Sequence, residues 1–203
     1  MKGKFIFVVL LLMLLGKSAY GATFKGRVID ADTKEPIGGA VVVATWTEEM
    51  ATPTGATSRL KDVKEVLTDK NGNWEIKGSK GRDMGNATAI SSFLTGTYYT
   101  KPPEFVIFKP GYCPWPEGFD IEACSGKLKP GGDSKFTKQE IVELPKLINK
   151  EDRLRAQRIW PSLVGGDKES KQKIKEFVRL INDERKNLGL SEDPMLKEIE
   201  NEK

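Results

Sequence analysis

The residue types that usually carry enzyme chemistry are sparse in this chain. Its 203 residues include no histidine. That removes Ser-His-Asp and Cys-His catalysis, together with the commonest zinc ligand and general base. Two cysteines remain, Cys113 and Cys124. They are not in a CxxC arrangement and no haem motif accompanies them, so a disulfide staple is expected rather than a redox pair. Closing that short loop would contribute about 2.8 kcal/mol through the unfolded chain. The 29 Asp and Glu are spread along the chain. No two stand out as an acid and a base, so no catalytic residue, cofactor or metal site is expected.

One acidic segment invites a sharper reading. Asp69, Asn71 and Asn73 have the alternate spacing of a calcium loop. Such a loop needs glycine at its sixth position and an acidic ligand at its twelfth. Here those positions hold Trp74 and Lys80. A turn is the preferred reading. Asn71-Gly72 tolerates positive φ and lies between two strand-like runs, Leu60–Leu67 and Asn73–Lys77, which predicts a hairpin.

The aromatics divide into two groups. Trp46, Trp74, Phe105 and Phe108 fall at strand positions and are read as core. Tyr98, Tyr99, Tyr112, Trp115 and Phe119 fall in or beside loops. Loop aromatics can stack on sugar rings or grip a peptide, which makes these five candidate glycan-binding residues. The simpler reading is that they cover the end of a domain or pack on the disulfide.

The elements that would position these residues are mostly strands. In Phe24–Trp46, Phe24, Gly26 and Val28 alternate with Lys25, Arg27 and Ile29, the period of a half-buried strand. A polar connection ending in Pro36 follows, and Gly38-Gly39 opens a β-branched run, Ala40–Trp46. That run predicts a strand buried on both faces. Glu48–Arg59 is rich in Thr, Ala, Pro and Gly and reads as an exposed loop. Phe93–Thr100 reads as a short strand, stopped by Pro102-Pro103. Glu104–Lys109 reads as a further strand, with Phe105 and Ile107 on one face and Val106 and Phe108 on the other. Lys138–Leu147 reads as the last.

Gly26-Arg-Val-Ile-Asp30, Glu35-Pro-Ile-Gly-Gly-Ala-Val-Val-Val43 and Thr68-Asp-Lys-Asn-Gly-Asn-Trp74 together resemble the carboxypeptidase regulatory-like domain. Phe105–Tyr112 and Val142–Leu144 fit the same pattern. The resemblance covers roughly Thr23 to Leu147. It implies a transthyretin-like β-sandwich of seven or so strands. Such domains serve as accessory, binding and structural modules, so the resemblance implies a fold and not an activity. The zinc chemistry of the carboxypeptidases cannot be carried over to a chain without histidine.

Three segments are expected. Residues 1–21 read as a secretory signal peptide: Lys2 and Lys4, an apolar run from Phe5 to Leu15, then Ala19 and Gly21 at the small-residue cleavage positions. That apolar run is well short of the ~20 residues a spanning helix needs, so no integral membrane span is expected after cleavage. Residues 22–147 form the sandwich, and 148–203 a helical extension. The formal charge of +4 is mostly signal. Removing Lys2, Lys4 and Lys17 from the 33 Lys and Arg leaves 30 against 29 Asp and Glu, which gives no electrostatic case for nucleic acid.

In the extension, Asp167 is a candidate N-cap for a helix over Lys168–Leu188, ended by Gly189. Ile174, Phe177, Val178, Ile181 and Leu188 form its apolar stripe, which must bury on the sandwich, on a second copy or on another protein; the first four are the candidate partner-binding residues. Basic residues including Arg179 lie opposite, beside an acidic row of Glu169, Glu176 and Asp183, the mark of a solvated, salt-bridged face. The expectation is an exported, periplasmic or secreted, non-catalytic interaction or structural module of the cell envelope. It would hold a protein partner; the alternative is a glycan-binding module.

Overall fold

The computed structural model describes residues 22–79, 87–116, 121–125, 140–158, 161, 170 and 172–192. The signal segment, Phe119, Asp167 and Glu169 lie outside them. The described residues form a mainly β fold of two sheets with helices after the last strand. Strands β1 (Thr23–Asp30), β4 (Asn73–Lys77) and β7 (Glu140–Leu144) make one sheet in the order β4-β1-β7. Strand β7 runs parallel to β1, whereas β4 is antiparallel to it. The second sheet holds β2 (Val41–Thr52) and β3 (Gly55–Leu67), with β5 (Tyr99–Thr100) and β6 (Glu104–Phe108) both on the other edge of β2. Helices α1 (Ala87–Thr95), α2 (Lys150–Ala156) and α3 (Lys175–Asn187) complete the described elements.

The sheets pack face to face as a β-sandwich. Phe24, Val28, Trp74, Ile76, Val142 and Leu144 from one meet Val42, Ala44, Trp46, Phe105 and Ile107 from the other. The Phe105 ring sits 5.4 Å from Phe24 and 5.6 Å from Trp74, centroid to centroid. Gly26 makes room for Trp74: a Cβ there would lie 2.7 Å from the indole. Cys113 and Cys124 form the expected disulfide and are fully buried in this core.

Val41–Trp46 of β2 and Phe105–Phe108 of β6 are buried on both faces, as the Ala40–Trp46 run predicts for β2. Val41, Val43, Val106 and Phe108 point away from the sandwich and form a second core with Ile174, Phe177, Val178, Leu180 and Ile181. The helical stripe is therefore filled by the chain's own sheet. Phe177 is 0 % exposed, and its ring lies 5.9 Å from Phe108. Burying each such side chain stabilises the fold by about 1.5–3 kcal/mol, which is why the extension docks.

Both ends of α3 are fixed by carboxylates. Its N-cap, Ile174, supplies no side-chain acceptor. Glu65 on β3 accepts from the backbone N–H of Glu176 (2.8 Å) and of Phe177 (3.0 Å) instead. Towards the other end Glu184, 1 % exposed, accepts from Arg153 on α2 at 2.7 Å through each oxygen, and from the Gly111 N–H at 3.2 Å. Gly189, at φ +75°, closes the helix as expected. On the outer face Arg179 bonds Glu176 and Asp183, so the mixed charges pair with each other.

Three local expectations are corrected. Glu48–Arg59 is not a loop: β2 and β3 continue as a ribbon to a turn at Pro53-Thr54, paired as far as Thr52↔Gly55. Phe93–Thr100 is mostly not a strand, since α1 runs to Thr95 and only Tyr99–Thr100 pairs. The Thr68–Gly72 turn is real, but it carries the chain from one sheet to the other rather than closing a hairpin.

Candidate functional site

The Asp69 turn is held by its own side chain. The Asp69 carboxylate accepts from the backbone N–H of Asn71 (2.9 Å) and of Asn73 (2.8 Å), and these bonds hold its pKa below the usual carboxylate range, Asn73 contributing most. Gly72 completes the turn at φ +76°, with Val28 pressed where a Cβ would stand. The acidic group thus builds a turn and faces its backbone, not an open ligand position.

The candidate glycan-binding aromatics do not come together. Tyr112 and Trp115 pack on the sandwich core beside the disulfide. The Tyr112 hydroxyl donates to buried Asp30 at 3.2 Å. Trp115 exchanges backbone bonds with Ile107, whose register partner on β2 is Val42. Tyr99 pairs with Glu49, seven residues further along β2, which is about 23 Å away at ~3.3 Å per residue. Tyr98 is covered by the Arg59 guanidinium, 3.9 Å from its ring centroid. The Tyr99 hydroxyl donates to Glu49 at 2.9 Å. Phe119 lies outside the described residues. Four of the five aromatics therefore belong to two separate places, and each is already engaged.

The candidate partner-binding residues Ile174, Phe177, Val178 and Ile181 are brought together but are not accessible. All four are buried against β2, β3 and β6. A partner cannot reach them while α3 is docked: of the sandwich, a second copy and another protein, it is the chain's own sandwich that covers the stripe.

Ile141, Ile148 and Leu190 are exposed singly, and an adjacent exposed pair lies at the end of the β2–β3 ribbon. At the ribbon's middle the charges are paired. Glu48 bonds Arg59 (2.7 Å) and Lys61 (3.3 Å), and Glu49 bonds Lys101 (2.8 Å). The Lys101 ammonium, with Tyr99 beside it, holds the Glu49 carboxyl below its ordinary pKa, and Glu49 raises that of Lys101 in turn. Beyond these pairs charge stops. Met50–Ser58 carries no charged residue, nor does Ala87–Thr100. The fold packs these two stretches together: the Ala51 N–H donates to Ser92 Oγ on α1 at 3.0 Å, and that hydroxyl donates to Thr97 O. Ser92 is buried, while the next two residues of α1 face solvent, Phe93 at 53 % and Leu94 at 76 %. In a chain that is 31 % charged, the result is a charge-free platform bearing two large apolar side chains. Depletion of charge with aromatic enrichment is the compositional mark of an interface centre. Sequence reasoning missed it because the two stretches are far apart in the chain. The signal available was the length of each uncharged run.

Among the described residues no cluster of Cys, Asp and Glu is arranged to hold a metal, and no helix is long and apolar enough to cross a membrane. The class defined by the fold is a β-sandwich with a docked C-terminal helix. Comparison with known proteins adds nothing to that class: no family model matches the chain, no curated protein matches its sequence, and no solved structure matches it.

Proposed function

We propose that this chain is an exported, non-catalytic interaction module of the cell envelope, an accessory sandwich of the carboxypeptidase regulatory-like kind, which docks a protein partner at the end of its β2–β3 ribbon. The observation that carries the reading is the exposure of Phe93 and Leu94 on a platform without charge. Burying such a surface costs no desolvation of ions, and an aromatic anchor with an aliphatic neighbour supplies the contact energy. The lack of histidine supports a role in binding rather than catalysis. The disulfide is compatible with export.

Cross-linked pull-down from envelope extract tests it, using the full mature chain and the double variant Phe93→Asp/Leu94→Asp. A defined protein captured by the first and lost by the second supports docking at the ribbon. Equal capture by both places the site elsewhere. A fall in Trp115 emission on adding neutral polysaccharide, with no protein captured, would favour the glycan reading instead.

A further inference from the structure

The ribbon has a second open feature, on the edge away from α1. Strand β3 is the outer strand of its sheet. An outer strand offers unpaired N–H and C=O groups to any other chain, and proteins usually blunt such edges with lysine, proline or a bulge. The inner half of β3 is protected in this way. The register shifts between Trp46 and Thr47, leaving Lys61 as the extra residue. Lys64 reaches across to Lys77 O at 2.8 Å, and Glu65 caps α3. The outer half, Gly55–Ser58, has none of these devices. It is exposed, uncharged, free of proline and paired in unbroken register with Glu49–Thr52. The opposite edge of the ribbon is already closed, by β5 at Glu48 and Glu49 and by Ser92 at Ala51.

We propose that a second copy of this chain pairs with this edge, β3 antiparallel to β3, with Gly55–Ser58 of each copy aligned across a two-fold axis. Three observations select that occupant. An antiparallel pair of identical strands is self-complementary about a two-fold axis. The segment carries no charge, so two copies meet without like-charge repulsion. In the register that pairs Ala56 with Ser58 and centres on Thr57 against Thr57, the outward-facing groups of both strands meet, and Arg59 of one copy falls opposite Gly55 of the other and not opposite a second cation. The inference goes beyond the partner-docking reading and does not depend on it, because Phe93 and Leu94 lie on the other side of β2.

Sedimentation equilibrium of the full mature chain from micromolar to millimolar concentration, at 0.1 M and 1 M NaCl, tests the pairing. A reversible dimer that persists at high salt is expected. Thr57→Lys/Ser58→Lys should raise its dissociation constant at least tenfold, whereas Phe93→Asp should leave it unchanged. As a check that needs no variant, amide exchange at Ala56–Ser58 of the wild-type chain should slow as concentration rises. A monomer throughout that range overturns the inference, as does a dimer indifferent to the edge lysines or one whose Ala56–Ser58 amides show no protection. Failure here leaves the pull-down with Phe93→Asp/Leu94→Asp untouched, so the two readings fail separately.

Discussion

Two helices of this molecule lie on the same sheet, and they meet it in different ways. Helix α3 presents Ile174, Phe177, Val178 and Ile181 inwards and buries them all. Helix α1 anchors through a buried serine and leaves Phe93 and Leu94 outside. The helix with the stronger periodic stripe is thus a structural part of the domain, and the weaker one carries the open surface. Amphipathic periodicity reports that a face will be covered, not by what. Here the covering surface was available in cis: β2 and β6 carry apolar side chains on both faces, and among the described residues α3 packs on the second one.

The comparison breaks most severely at the charge that fixes α3. Arg153→Ala would leave Glu184 buried without its cation, and a loss of about 3–5 kcal/mol is expected in denaturant unfolding. Phe177→Ala should cost about the same, about 3–5 kcal/mol, by opening a cavity against Phe108. Either result identifies the helix as part of the cooperative fold; a loss below 1 kcal/mol for both would show that it is not docked. Replacing both cysteines by serine should cost about 2.8 kcal/mol, from the chain-entropy relation.

A smaller effect is expected at Glu65. Burial raises its pKa above the ordinary glutamate value, outweighing the two backbone N–H bonds it accepts, and Glu176 pushes the same way. The folded state therefore holds this proton more tightly than the unfolded chain does. Docking of α3 should be firmest in acid and weaken as pH rises from the ordinary value through the raised one. Glu65→Gln should flatten that segment of the stability–pH profile and cost about 1 kcal/mol as a weakened cap. An unchanged slope would show that the carboxylate does not titrate in this window. At the bottom of the scale, Phe93→Asp/Leu94→Asp should change stability by about 0.5 kcal/mol or less, because neither side chain is in a core.

Much of the sandwich is legible from residues alone. The alternation in Phe24–Val28, the two-faced burial of Ala40–Trp46, the opposed faces of Phe105–Phe108 and the Cys113–Cys124 pair all appear as expected. The ribbon is not legible because strands that project beyond a core need no apolar alternation. Met50–Ser58 is paired through its backbone, and its Thr, Pro and Gly read as a loop. Helix α1 hides for a related reason. The helix is fixed by Ser92, which accepts from the Ala51 N–H, far from it in sequence, and donates to Thr97 O just beyond the helix end. The stripe assembles as its spacing implies and is covered by the chain's own sheet, and the four described aromatics are divided between two places, a separation that only the strand pairing decides.

The proposed docking surface is the ribbon's end and not the C-terminal helix. A photo-cross-linking residue placed at Leu94 in one chain, and at Asp183 on the outward face of α3 in another, tests it directly in envelope extract. A discrete protein adduct from position 94 alone is the predicted result. An adduct from position 183 alone would contradict the account and return the recognition surface to the helix.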